Sequence, residues 1–337
     1  MSLVVVTGST GFIGLHLVEE LVRRGERVRC VVHPGSPFQT LEALGVEILP
    51  VELFDLPGLK AAMDGAKVVH HVAGVIRAFR RADFYDVNER GTAFVAEACA
   101  TQISPPRLVV VSSVAAAGPA PRGQMRTEAD PPRPISHYGR SKLAGEKAAA
   151  KFAASVPITV VRPGIVFGPR DTGFMQVLRS LRIFHCHVSP GFFPPALSCI
   201  HVADLIELLL RAAEKGSTLP AMENGEPGKG HYFAVAPEYP TYVEVGRMLR
   251  PMLGRPYAPI VPVPGPLAYV VGGLNELVGW VRGKPEELCV DKIRDALATN
   301  WACSGEAARR DLGFTPAKSL AERMQETVDW CLANRSI

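Results

Sequence analysis

Residues 4–14 constrain this chain more than any other stretch. Val4-Val5-Val6 runs into Thr7-Gly8-Ser9-Thr10-Gly11-Phe12-Ile13-Gly14, and Leu15-His16-Leu17-Val18-Glu19-Glu20-Leu21-Val22 follows at once. A β-branched run, a glycine-rich turn and an amphipathic segment give strand, turn and helix in the order a dinucleotide site requires. In such a unit Gly8 allows the tight turn, Gly11 lets backbone approach a pyrophosphate, and Gly14 lets helix and strand pack closely. The helix N-terminus then offers unpaired N–H groups and the positive end of its dipole to the phosphates.

Strand-like runs at 3–7, 28–32, 46–51, 67–72, 107–112 and 157–162 alternate with amphipathic segments. That rhythm predicts an α/β fold of the Rossmann type, a doubly wound parallel sheet with helices on both faces. It breaks after Gly168. The expected organisation is a dinucleotide-binding domain of residues 1–168 plus about 201–230, and a smaller, discontinuous α+β substrate lobe of about 169–200 plus 231–337. Helices are expected from His201 to about 214 and over 319–333. The stretch 267–281 is too short to span a bilayer and carries Asn275 and Glu276. Leu267, Val270, Leu274, Leu277, Val278 and Val281 share one helical face there, which predicts packing on the lobe or against an apolar pocket.

Tyr138 and Lys142 stand four apart in Tyr138-Gly139-Arg140-Ser141-Lys142 and share one face of a helix. A phenol with a pKa of about 10 is a poor acid or base at neutrality, and a neighbouring ammonium favours its phenolate. Such a pair supplies a proton donor for ketone reduction or a base for alcohol oxidation.

With the glycine turn, Leu108-Val109-Val110-Val111-Ser112-Ser113 and the Tyr138–Lys142 segment, the chain resembles the extended short-chain dehydrogenase/reductase family. The resemblance extends to His70-His71-Val72-Ala73-Gly74, Val87-Asn88-Glu89-Arg90-Gly91-Thr92, Arg162-Pro163-Gly164-Ile165-Val166-Phe167-Gly168-Pro169 and Ile200-His201-Val202-Ala203-Asp204-Leu205. It covers nearly the whole chain. It looks most like the dihydroflavonol-reductase and 3β-hydroxysteroid-dehydrogenase branch. The family's catalytic serine lies some two dozen residues before the tyrosine, which favours Ser113 over Ser112, and Ser113 is then expected to polarise the substrate carbonyl. The resemblance further implies that Lys142 also bonds the nicotinamide ribose, and that Asn88 props the active-site helix and a proton-relay water. It places the dinucleotide against Gly8, Thr10, Gly11, Phe12, Ile13, Gly14, Ala73, Lys142, Pro163 and Ile165. Glu52-Leu53 matches a pair that borders the adenine, although Asp is usual where Glu52 stands.

Cofactor choice rests on the end of the second strand, Val28-Arg29-Cys30-Val31-Val32-His33-Pro34. A carboxylate there would bind the ribose 2′-hydroxyl, and a cation would accept a 2′-phosphate. No Asp or Glu is present. His33, with Arg29 on the same strand face, leans the expectation to NADP, with NAD the other option.

Other features exclude more than they assign. Of 337 residues, 21% are charged, the formal net charge is +4, and no Lys/Arg tract occurs, which argues against nucleic acid as a partner. Seven scattered cysteines without C-x-x-C pairing, and a strand that begins at once, suit reduced thiols in a cytoplasmic protein. His185-Cys186-His187 lacks further ligands at sensible spacing, so no metal is expected.

The expected activity is hydride transfer between a nicotinamide and the keto or hydroxyl carbon of a mainly apolar small molecule. Phe192, Phe193, Leu197, Cys186 and the 267–281 helix are expected to supply the pocket. Sugar dehydratases of this family carry an acidic pair after the active-site Ser/Thr, where this chain has Val114-Ala115. A nucleotide-sugar epimerase with tightly held NAD is the alternative, which Arg170, Arg179 and Arg182 would suit. Epimerases commonly have an asparagine where Pro163-Gly164 stands. A non-catalytic NADP-binding sensor is a third reading, against which both Tyr138 and Lys142 stand. Relatives often dimerise through the Tyr138 helix and the 89–101 segment, which implies a homodimer.

Overall fold

The structure, a computed structural model, describes residues 2–221, 226–283 and 289–337. The strands, in chain order, are β1 (Leu3–Thr7), β2 (Arg27–Val32), β3 (Glu47–Pro50), β4 (Val68–His71), β5 (Arg107–Val111), β6 (Ile158–Pro163), β7 (Ile165–Phe167), β8 (His187–Pro190), β9 (Cys199–His201), β10 (His231–Ala234) and β11 (Ile260–Val263). Seven of them form one parallel sheet in the order β10-β6-β5-β4-β1-β2-β3. The chain builds outward from β1 through β2 to β3, then returns to lay β4 on the other side of β1. The order therefore reverses between β1 and β4, and ligands of open α/β sheets bind outside the strand ends at such a reversal.

Strand composition follows from this burial. Val4 and Val6 face the helices Phe12–Arg23 and Val202–Lys215, while Val5 faces the opposite layer with Leu59, Val95 and Val69. Both faces are covered, so the strands read as continuous apolar runs. Each buried valine or leucine side chain contributes about 1.5–3 kcal/mol relative to exposure. A third apolar cluster, with Phe167, Phe233, Trp301, Met324 and Val328, packs where β7 pairs with β9.

The helices Val202–Lys215 and Leu320–Ala333 fall where the sequence places them, and Ser319 and Glu322 cap the second reciprocally. They are joined by a partly buried ion pair, Arg323 Nη2 to Asp204 Oδ1 at 2.6 Å. Two features differ from expectation. The seventh sheet strand, β10, is a four-residue edge strand at 231–234, so the sheet continues past residue 230. The helix Gly265–Arg282 does form, but its apolar stripe does not pack on the protein: Leu267, Val270, Leu274, Leu277, Val278 and Val281 are all exposed. Its small residues make the contact instead.

A buried polar cluster ties the helix His137–Ala150 to the sheet. Arg162 on β6 donates from Nε and Nη2 to the two carboxylate oxygens of Glu146, at 2.9 and 2.6 Å. Ser112, at the end of β5, donates its hydroxyl to the same carboxylate. Glu146→Gln should cost about 3–5 kcal/mol in urea unfolding, because it leaves the Arg162 charge buried without a counter-charge. Replacing both partners by methionine should recover most of the loss; a single variant as stable as wild type would contradict this.

Candidate active site

The glycine turn sits at the reversal between β1 and β4. Gly8 has φ +71°, and a Cβ there would lie 2.5 Å from the Ala73 backbone nitrogen, so a side chain is excluded on both grounds. Gly14 is held equally tightly: its Cβ would stand 2.1 Å from the Gly8 carbonyl oxygen. Gly11, at the N-cap of the helix Phe12–Arg23, has only that same carbonyl near it, at 3.3 Å. The turn thus presents a shallow cradle bounded by backbone, with Thr10 at its rim. Phe12 and Ile13, in the first helical turn, line the cavity that also holds Tyr138.

A directional chain of hydrogen bonds links this turn to the tyrosine helix. Ala73 N–H donates to Thr7 Oγ1 (3.4 Å), and the Thr7 hydroxyl to His71 Nδ1 (2.8 Å). His71 Nε2–H then donates to Thr92 Oγ1 (3.0 Å), whose hydroxyl is committed to the Asn88 carbonyl (2.7 Å). The order fixes His71 as the neutral Nε2 tautomer, and burial drives its pKa down to about 3. His70 beside it is likewise pushed down, to about 4. Neither ring titrates near neutrality.

Asn88 lies in a π-helical turn, Asp86–Gly91. Its side chain accepts from Val75 N (2.9 Å) and donates to Val75 O (3.0 Å) and Ser141 Oγ (2.9 Å). It therefore joins the loop after β4 to the helix His137–Ala150. Gly145 on that helix lies so close that a Cβ would meet Asn88 O at 2.1 Å. The extra residue of a π-turn aims the amide at the helix, as such turns at functional sites do.

Tyr138, Ser113 and Lys142 converge at the ends of β5 and this helix. Ser113 caps the short helix Val114–Ala117 through Ala115 N and lines the same cavity as Tyr138. Ser112 is spent on Glu146, which separates the roles of the two serines. Lys142 Nζ donates to Val111 O at 2.7 Å, and burial lowers its pKa to about 8. The depressed phenol expected from sequence is not what this packing produces. Burial pushes Tyr138 up to about 12; the nearby Ser113 hydroxyl opposes the rise, and the Asp295 carboxylate adds to it.

Three groups were missed by the sequence reading. Asp291 accepts from His137 N (2.9 Å) and Tyr138 N (3.1 Å), capping the helix from outside together with Ser136. Lys292 Nζ lies 4.7 Å from the centroid of the Tyr138 ring. Asp295 lines the same cavity, with its pKa raised by burial to about 6 and its Oδ1 without a hydrogen-bond partner. No spacing rule marks them, because they lie over 150 residues downstream of the tyrosine.

The cavity measures about 550 Å³. Pro163 and Ile165 form its wall beside the glycine turn, and Phe174, Val177, Leu197, Tyr242, Val245 and Trp301 make it mainly apolar. Of the groups expected to build it, Leu197 does. Phe192 and Phe193 are turned to solvent, and Cys186 and the 267–281 stripe lie outside the lining. Arg170 pairs with Glu19, while Arg179 and Arg182 bond the carbonyls of Ser336 and Ile337. His187 Nε2 lies 2.9 Å from Tyr242 O. Among the described residues, no three His, Cys, Asp or Glu side chains gather as a metal-binding cluster.

At the end of β2, His33 is exposed, with Nδ1 accepting from Gly35 N (3.0 Å). Glu52 and Leu53 follow β3 beside it, Leu53 packing near Gly91. Arg29 is not available to join His33. It donates to Glu47 Oε1 (2.9 Å) and to the carbonyls of Ala62 and Asp64, about 13 Å back along the strand.

Residues 4–224 match the NAD-dependent epimerase/dehydratase family. The chain belongs to that family. It is an NAD(P)-dependent enzyme of the extended short-chain dehydrogenase/reductase type. Among its relatives, a ceramide reductase of Caulobacter vibrioides is 30% identical over 97% of this chain and 93% of its own length. A sterol demethylase protein B of Methylococcus capsulatus is 28% identical over 96% and 97%. The fold is also that of MoeE5 in complex with UDP-glucuronic acid and NAD, with a TM-score of 0.74 and 23% identity over 99% of each chain.

The phenol can be followed directly. The difference in ultraviolet absorbance between wild type and Tyr138→Phe should show no ionisation of this residue below about pH 10.5, half a unit above a free phenol. Ionisation near pH 9 in the folded protein would contradict the burial argument.

Proposed function

We propose that this enzyme transfers hydride between a nicotinamide and the keto or hydroxyl carbon of a mainly apolar small molecule, through Ser113, Tyr138 and Lys142. The observation that carries this reading is the placement of Ser113 and Tyr138 together in the wall of one mainly apolar cavity. The names of the two relatives, which concern ceramide and a sterol, agree with it.

The residues present fit a dinucleotide. The shallow Gly8–Gly14 cradle would take the pyrophosphate, Pro163 and Ile165 the nicotinamide end, and Ala73, Glu52 and Leu53 the adenosine side. When bound, the dinucleotide supplies or accepts the hydride. Ser113 would hold the carbonyl oxygen and steady its developing charge. Tyr138, kept protonated by burial, would deliver its proton to that oxygen, and Lys142 would hold the resulting phenolate and the ribose. Asn88 would act as a positioning residue for that helix.

The epimerase reading loses its support in the arginines, since Arg170, Arg179 and Arg182 are engaged outside the cavity. A nucleotide-binding sensor without turnover would have no use for the Ser113–Tyr138 pair.

Tyr138→Phe should lower ketone reduction by roughly a hundredfold or more while leaving nucleotide affinity within about twofold. Lys142→Met should damage both. The Lys142 charge is present below its lowered pKa of about 8 and lost above it, so wild-type reduction should fall as pH rises through that value. Full turnover by Tyr138→Phe would remove the mechanism.

His33 is the group on which the lean to NADP now rests. NADPH should bind more tightly than NADH, and His33→Asp should reverse the order, because a carboxylate repels a 2′-phosphate and accepts from a ribose hydroxyl. Calorimetry showing a native preference for NADH would overturn this.

A further inference from the structure

The helix Gly265–Arg282 is built inside out. Its least exposed positions are Ala268, Gly272, Asn275 and Gly279, which recur every three or four residues and form the side resting on the protein. Gly272 sits so close to the helix Val290–Ala296 that a Cβ would be 2.3 Å from Ile293 Cδ1. Glu276 is drawn to the same neighbour, accepting from Val290 N at 2.9 Å. The large apolar residues point away. Leu277 is 63% and Val281 84% exposed, at one end of an unbroken stripe that begins at Leu267. An ordinary surface helix has the reverse pattern, and an exposed apolar patch of this extent marks an interaction surface.

Several observations select what covers it. Apolar exposure is not confined to one helix: β11, which leads directly into the helix, exposes Val261 beside its β8 partner Val188, and the exposed Phe192 and Phe193 follow β8. A single helix–helix seam covers one stripe, whereas a lipid surface receives apolar groups from several elements. At the end of the stripe, the Trp280 ring meets Phe79 at 6.3 Å, and Arg77, Arg81 and Arg294 line the small cavity beside Trp280 together with Glu276 and Asp291. Arg80 and Arg282 adjoin them in sequence, with Asp83 paired to Arg80. Aromatic rings among guanidinium groups suit the headgroup level of an anionic membrane. Among the described residues, no helix is long and apolar enough to cross a membrane, so the helix would lie along the surface.

We infer that this face docks on the surface of an anionic lipid bilayer, with the Leu267–Val281 stripe in the interfacial plane. The inference goes beyond the catalytic reading and does not depend on it. The full chain is sedimented with vesicles of phosphatidylcholine alone and of phosphatidylcholine mixed with phosphatidylglycerol. Binding to the mixed vesicles is expected, weakened by salt and weaker without phosphatidylglycerol. The double variant Leu274→Glu/Leu277→Glu should lose at least about tenfold in binding, with its melting temperature and nucleotide affinity unchanged. Failure of the wild type to sediment with either vesicle would overturn the proposal. So would equal, salt-insensitive binding to both. A lipid-free dimer that the double variant converts to monomer, without vesicle binding, would give the face to a second copy instead.

Discussion

The site depends on one buried chain of hydrogen bonds, from Ala73 through Thr7, His71 and Thr92 to Asn88. It begins at the glycine turn and ends at the residue whose side chain grips both Val75 and Ser141. Each bond is worth only about 1 kcal/mol net, but an unpaired buried member costs about 1–3 kcal/mol, so losing one partner costs more than the bond it made. It works only with a neutral imidazole, and burial keeps His71 neutral to about pH 3. The distance between the cradle and the tyrosine helix is therefore set by polar contacts that a shift in either element would break.

Electrostatics at the tyrosine follow from the same burial. The helix that carries Tyr138 is fixed on one side by Glu146, Ser112 and Arg162, and on the other by Asn88. The phenol is left in a mainly apolar wall, where its charged form is penalised. Lys142 answers with its ammonium on Val111 O rather than on the phenol oxygen. The result is a proton donor with two charged neighbours, Lys292 and Asp295, that come from a distant part of the chain.

Local chemistry made the fold legible. The turn Gly8–Gly14, the apolar strand runs and the four-residue spacing of Tyr138 and Lys142 all act over a few residues, and the parallel sheet follows from their alternation. What escaped was set by long-range packing. β10 is only four residues long, so its buried run Tyr232-Phe233-Ala234 does not stand out in a stretch read as loops and helices. Arg29 shares a strand face with His33, yet Glu47 and two carbonyls hold it at the far end. The 267–281 stripe reads as core by periodicity, but the glycines and alanine between its residues decide which side packs. Asp291, Lys292 and Asp295 reach Tyr138 only through the tertiary fold.

The most direct test follows the hydride itself. The enzyme is incubated with nicotinamide dinucleotide carrying deuterium at the transferable position, and offered either long-chain aliphatic ketones or UDP-sugars. Mass spectrometry should find deuterium on the carbinol carbon of an apolar alcohol product, whose formation should slow by roughly a hundredfold or more with Tyr138→Phe. Isomerisation of a UDP-sugar, with no label entering any ketone, would contradict the account.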